Sequence, residues 1–160
     1  MPKAVYPGTF DPIHWGHVDV ARRAARLFDH LYLAVYDRPL KNLLFTTEER
    51  VALAREALAD LDNVTVVSYR ELTVDLVREL GAHVIVRGLR AISDFEWELQ
   101  LALTNRKLAP EVETVCLMTR VEYAFLSSTI VKDVAVHRGD VSDMVPPVVA
   151  EALRQKFQRS

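Results

Sequence analysis

The sequence predicts a doubly wound α/β domain: a Rossmann-like, five-stranded parallel sheet with helices on both faces. Three observations carry that reading. Short apolar runs alternate with stretches of helical periodicity along the chain, the connections between them are short, and recurrent capping signals mark where helices open. Strands that alternate with helices join as right-handed crossovers, and this makes the sheet parallel.

Each element follows from its residues. Lys3 to Tyr6 reads as the first strand, and Val18, Ala21, Ala24, Ala25 and Phe28 then recur at helical spacing. Leu31 to Tyr36 is a continuous apolar run, as in a strand buried on both faces. Asp37 to Phe45 is a loop containing Pro39, Lys41 and Asn42, after which Thr46 and Glu49 form a capping box opening a helix to about Leu61. Val64 to Ser68 is the third strand, Thr73 to Leu80 a helix closed by Gly81, and His83 to Arg87 the fourth strand. Ser93 with Glu96 is read as a second capping box before a helix to about Leu108, in which Phe95, Trp97 and Leu101 look like packing residues. Thr114 to Met118 supplies the fifth strand. Ser127 or Ser128 caps a helix ending at Gly139, and Pro146-Pro147 starts the last one.

At 160 residues the chain fits one domain, 1–160, and folding such a length buries roughly two thirds of the unfolded surface. A net charge of −2 argues against a dedicated nucleic-acid binder. Cys116 has no partner for an internal disulfide and is expected to be an inert core thiol. No stretch has the order of a signal peptide or the length of a membrane span, so a soluble intracellular protein is expected.

The chemistry concentrates in four places. Tyr6-Pro7-Gly8-Thr9-Phe10-Asp11-Pro12 leads through Ile13 into His14-Trp15-Gly16-His17, a strand, a turn and a helix start that offers free N–H groups to a phosphate. The two histidines share a face there; phosphate contact, simple capping and, less well supported by neighbouring ligands, zinc are the open readings. Gly16 removes a side chain and is expected to admit a bulky ligand. Arg87-Gly88-Leu89-Arg90 follows the fourth strand and suits bidentate phosphate binding, the alternative being solvated loop arginines. Lys41 is either a solvated loop lysine or a further phosphate contact. Ser127-Ser128-Thr129, with Lys132 a turn later, forms another donor-rich helix start. No GxxxxGK[ST], GxGxxG or GxSxG motif is present, and no nucleophile is evident, which fits a reaction whose substrate supplies its own.

The first motif, the Gly16-His17 pair, Arg87-Gly88-Leu89-Arg90-Ala91 with Asp94-Phe95-Glu96, and Ser127-Ser128-Thr129 together resemble the phosphopantetheine adenylyltransferase family of the nucleotidyltransferase superfamily. The resemblance spans nearly the whole chain. It implies transfer of AMP from ATP to 4′-phosphopantetheine, reversibly giving dephospho-coenzyme A and pyrophosphate, with Mg2+, in a cytoplasmic homohexamer without nucleic-acid or membrane partners. By matching positions it implies that Thr9 touches both substrates, Phe10 helps to hold ATP, and His17 binds ATP and stabilises the transition state. Lys41, Thr73 and Arg87 become contacts of the acceptor phosphate. Gly88, Leu89, Arg90 and Glu98 become nucleotide contacts, with Tyr123, Ala124, Phe125, Leu126, Ser127, Ser128 and Thr129. One departure stands out: His14-Trp15 replaces the Thr-Asn common in the family, and residues 119–123 also differ from its usual pattern. Other acceptors on the same fold, nicotinamide mononucleotide or, with CTP as donor, a phospho-alcohol, remain alternatives, as does a nucleotide-sensing module without chemistry.

Overall fold

The computed structural model describes residues 2–37, 42–90 and 92–158. Its five apolar runs form β1 (Lys3–Gly8), β2 (His30–Tyr36), β3 (Val64–Tyr69), β4 (Val84–Leu89) and β5 (Glu113–Met118). All pair parallel in one sheet of order β3-β2-β1-β4-β5, as the alternation predicts. The helices are α1 (Trp15–Leu27), α2 (Thr47–Ala57), α3 (Thr73–Glu79), α4 (Ile92–Leu108), α5 (Ser128–Val136) and α6 (Pro147–Phe157), with a 3-10 turn at Val121–Tyr123.

Side chains alternate across the strands and so build a core on each face. Ala4, Tyr6, Leu31, Leu33, Val84 and Val86 pack against α1, α2, α5 and α6. Val5, Ala34, Ile85 and Tyr69 face α3, where Val74, Leu76 and Val77 cover them. The helix starts follow their caps. Thr46 Oγ1 accepts from Glu49 N–H at 3.1 Å while Glu49 accepts from Thr46 N–H at 2.9 Å, closing the expected box. Ser127 Oγ caps α5 by accepting from Ile130 N–H.

Several boundaries move, each for a physical reason. β1 runs on to Gly8 and β4 to Leu89, because Pro7 and Gly8 still pair with Ala34 and Val35, and Leu89 with Met118. Gly88 and Leu89 therefore belong to the strand that was expected to end at Arg87. α2 stops at Ala57 and α4 opens at Ile92, so Ser93 stands inside the helix it was expected to cap. Arg138, not Gly139, takes the left-handed conformation after α5 (φ 61°), and Gly139 N–H returns to the Val134 carbonyl. Gly81 does fill that role after α3, at φ 67°. Cys116 is exposed instead of buried, because β5 is an edge strand. Phe95 and Trp97 are likewise half-exposed, with 51% and 59% of their surface accessible, which corrects their reading as packing residues.

A buried arginine ties the site end of the sheet together. Arg50 of α2 is 1% exposed and donates to the carbonyls of Thr9, Tyr36 and Phe45 and to Thr47 Oγ1. Beside it the buried Asp11 accepts from the N–H groups of Leu44 and Phe45 and pairs with Lys132 Nζ at 3.0 Å. Removing one member of such a network leaves buried polar groups unpaired. Arg50→Met is therefore expected to destabilise the fold by about 3 kcal/mol or more in urea denaturation. A loss below about 1 kcal/mol would show that water replaces the guanidinium at little cost.

Candidate active site

Strand order reverses between β1 and β4, and in such sheets a crevice opens beyond the carboxyl ends of the strands at that point. Gly8 and Leu89 end those two strands, so Thr9, Phe10, Arg87, Gly88 and Arg90 meet there. They line a cavity of about 360 Å³ together with His14, His17, Asp94, Trp97, Glu98, Tyr123, Ser127 and Ser128. A second cavity of about 260 Å³ shares Thr9, Arg87, Trp97 and Glu98 with the first and adds Tyr36, Tyr69, Thr73 and Asn105.

The two histidines open α1 as a matched pair. His14 is the N-cap, its Nδ1 accepting from Gly16 N–H at 3.1 Å, while its own N–H donates to Nδ1 of His17 at 3.1 Å. This is a reciprocal capping box with imidazoles in the places usually taken by Ser or Thr and Glu or Gln. The rings stack with centroids 3.7 Å apart, and Phe10 meets His17 edge-on at 4.8 Å. Because each Nδ1 is an acceptor, each neutral ring carries its proton on Nε2. A Cβ on Gly16 would stand 2.9 Å from the His14 ring. That glycine thus makes room for the cap, and it also lines the larger cavity, where it was expected to admit a ligand. Phe10 has a positive φ of 51°, with its ring buried in edge contact with Tyr6, a strained conformation held by packing.

Both arginines of β4 and its end are braced by carboxylates. Arg87 donates from Nε and Nη2 to the buried Glu98, at 2.7 and 2.9 Å, and from Nη1 to the Pro7 carbonyl. Arg90 holds Asp94 and the Leu126 carbonyl. A guanidinium has more N–H donors than these bonds use, so each can still meet an anion.

At the start of α5 two hydroxyls are already committed, Ser127 to its cap and Ser128 to the Pro12 carbonyl. Lys132, expected to add to that phosphate cradle, is held by Asp11 instead. Of the other expected contacts, Tyr123 lines the first cavity and Thr73 the second. Leu89, Ala124, Phe125, Leu126 and Thr129 do not contribute to either wall. Leu126 is fully buried and acts through its carbonyl. Lys41 lies outside the described residues. Trp97, Tyr36, Tyr69 and Asn105 are cavity residues that sequence reasoning missed. Apolar periodicity cannot separate a ring lining a cavity from one filling a core.

Among the described residues no group of three or more His, Cys, Asp or Glu is placed to hold a metal ion, and the acidic groups at the cavity are engaged by arginines.

Burial pushes the His14 imidazole down to about 3, with the Arg90 charge acting the same way. Burial, then His14, Arg90 and Arg87, lower His17 well below its ordinary value. Both rings are therefore neutral at neutral pH. Since the unfolded chain takes up protons that these rings refuse, stability present above about pH 6.5 drains away as pH falls toward the folded values, by up to about 1.4 kcal/mol per pH unit for each ring. Urea melts between about pH 7.5 and about pH 5 should show a shallower loss in His14→Thr than in the natural chain. Equal slopes would contradict the buried neutral His14.

The cytidylyltransferase-like family model matches residues 5–134. A phosphopantetheine adenylyltransferase of Herpetosiphon aurantiacus is 54% identical over 99% of this chain and 96% of its own length. Those of a Roseiflexus species and of Alkaliphilus metalliredigens are 54% and 50% identical, each over at least 98% of this chain and 99% of their own. A solved structure described as a nicotinate-nucleotide adenylyltransferase from Vibrio parahaemolyticus superimposes with a TM-score of 0.71 over 96% of this chain and 99% of that one, at 19% identity, a likeness of fold. The motifs at the switch point, the fold and these near full-length matches together place the chain in the phosphopantetheine adenylyltransferase family of cytidylyltransferase-like proteins.

Proposed function

We propose that the protein transfers the adenylyl group of ATP to 4′-phosphopantetheine, giving dephospho-coenzyme A and pyrophosphate, a step of coenzyme A biosynthesis. The observation that carries this reading is the pair of cavities sharing Thr9 and Arg87: two phosphate-bearing substrates can reach one point from two sides. Family membership supplies the identity of the substrates.

The chemistry needs no general base. A phosphate monoester carries about −1.5 to −2 charge at neutral pH, so its oxygen can attack the ATP α-phosphorus directly. A new P–O bond forms as the bond from the α-phosphorus to the bridging oxygen breaks, and pyrophosphate leaves with that oxygen and its electron pair. The protein's task is alignment and charge stabilisation. Arg87 and Thr73 would hold the acceptor phosphate in the smaller cavity, with Lys41 as a further contact that family membership suggests. Thr9 and the Nε2–H of His17 would donate to the α-phosphoryl oxygens, and Arg90 with the start of α5 would meet the departing pyrophosphate. A magnesium ion riding on the triphosphate would neutralise part of its charge. The same reading has the enzyme working in the cytoplasm as a homohexamer, which sedimentation of the purified protein tests.

Incubation with ATP, magnesium and 4′-phosphopantetheine should release pyrophosphate, whereas nicotinamide mononucleotide, or CTP with a phospho-alcohol, should not. Release only with one of the latter would reassign the acceptor, and ATP binding without release would make the protein a sensor. His17→Ala should lower kcat by roughly a hundredfold or more with little change in the ATP KM, the usual result of removing a donor aimed at a transition state. A loss of about tenfold or less would argue against that role. Lys41→Ala should raise the acceptor KM selectively, and an unchanged value would remove Lys41 from the site.

A further inference from the structure

We propose that His14 is a positioning residue for this reaction: by capping α1 it holds the first helical turn so that its own backbone N–H locks His17 as the Nε2–H tautomer at the cavity wall. The inference rests on the adenylyl-transfer reading for the role of His17, but its structural half stands alone.

Three observations carry it. The His14 Nδ1 bond to Gly16 N–H and the His14 N–H bond to His17 Nδ1 are two halves of one box, so the ring that caps the helix also fixes the backbone that orients His17. His14 is 5% exposed, and its ring lies flat against His17, tilted by 28°, closing off one face of that ring. Gly16 leaves the space the His14 ring occupies, for any Cβ there would stand 2.9 Å from it. A His17 ring freed from the backbone N–H could carry its proton on either nitrogen, and a ring protonated on Nδ1 would present a lone pair where the reaction needs a donor.

The cap, not the imidazole itself, is the active element. A threonine hydroxyl accepts from the same helix-start N–H groups, and an alanine methyl cannot. The rest of the surroundings agree. Tyr6 and Phe10 wall the His17 ring, and Arg87 and Arg90 are the charged groups whose fields reach it. Neither arginine bonds to a histidine nitrogen, so the tautomer is left to the box.

Nitrogen-15 NMR of the imidazoles in the free enzyme reads the tautomer without any turnover. The natural chain and His14→Thr should both show His17 with Nδ1 unprotonated and Nε2 protonated, and His14→Ala should show averaged shifts of a mixed tautomer. In the pyrophosphate assay His14→Thr should keep kcat within about threefold. His14→Ala should lose roughly tenfold to a hundredfold in kcat with the ATP KM little changed, a smaller loss than deletion of His17, because the freed ring is misplaced as well as partly in the wrong tautomer. A single Nε2–H tautomer in His14→Ala would overturn the proposal even if the protein proved to have another substrate. So would a His14→Thr variant as impaired as His14→Ala, or a selective rise in ATP KM in both, since either would make His14 a direct phosphate contact. Total absence of pyrophosphate release from the natural chain, with the tautomer pattern as expected, would instead refute the function alone.

Discussion

The site end of this molecule hangs on the buried Arg50 guanidinium and its neighbour Asp11. A parallel sheet leaves the carbonyls at the ends of its strands without ladder partners, and here those of Thr9 and Tyr36 are satisfied by one side chain from α2. Asp11 does the complementary work for the N–H groups of Leu44 and Phe45 and draws Lys132 of α5 inward. The turn after β1, the end of β2 and the starts of α2 and α5 are thereby joined. A charged group is costly to bury, and what makes it tolerable is that every polar neighbour it meets is of the opposite kind. The backbone of Thr9 and Phe10, which must be fixed if the site is to align two ligands, is set by this network, not by the sheet.

The same logic of prior pairing recurs one layer out. Arg87 and Arg90 face the cavity already held by Glu98 and Asp94, so their side chains are ordered before any anion arrives. An unbraced arginine would lose about 2 kcal/mol of rotamer entropy on meeting a phosphate. The carboxylates also moderate the positive field at the cavity. The smaller cavity reaches Arg87 from the side of Tyr69 and Thr73, and the larger from the side of His17, so one guanidinium stands between the two spaces.

How much of this was legible in the sequence follows from which interactions are local. Strand and helix order, the Thr46 box, the Pro147 start and the left-handed Gly81 are written in spacings of a few residues, and all hold in the structure. The gathering of Thr9, His17, Arg87 and Arg90 was legible too, because strand ends at a switch point are a topological consequence. What escaped is long-range. Lys132 reads as a helix-start cation until Asp11, 121 positions earlier, takes it. Gly16 reads as room for a ligand, and its second role, room for the His14 ring, shows only in the structure. Ser93 and Glu96 have the spacing of a box, yet the helix opens before them. Cys116 and Trp97 look internal because apolar composition does not say which strand is an edge or which face of a helix borders a cavity.

The histidine pair shows why a neutral donor is the apt choice at this point of the fold. Two arginines already supply positive charge, and a third cation buried beside them would be repelled and poorly solvated; the same forces push both imidazoles toward the uncharged form. A neutral ring avoids that penalty while still offering one N–H, provided that the proton sits on the correct nitrogen. Fixing the tautomer is then the remaining requirement, and a bond from a backbone N–H to Nδ1 meets it without introducing another charge. In a reaction whose attacking group brings its own negative charge, donors that are oriented and unable to take up a proton are worth more than a base. The first turn of α1 supplies that arrangement from four consecutive residues, His14 to His17.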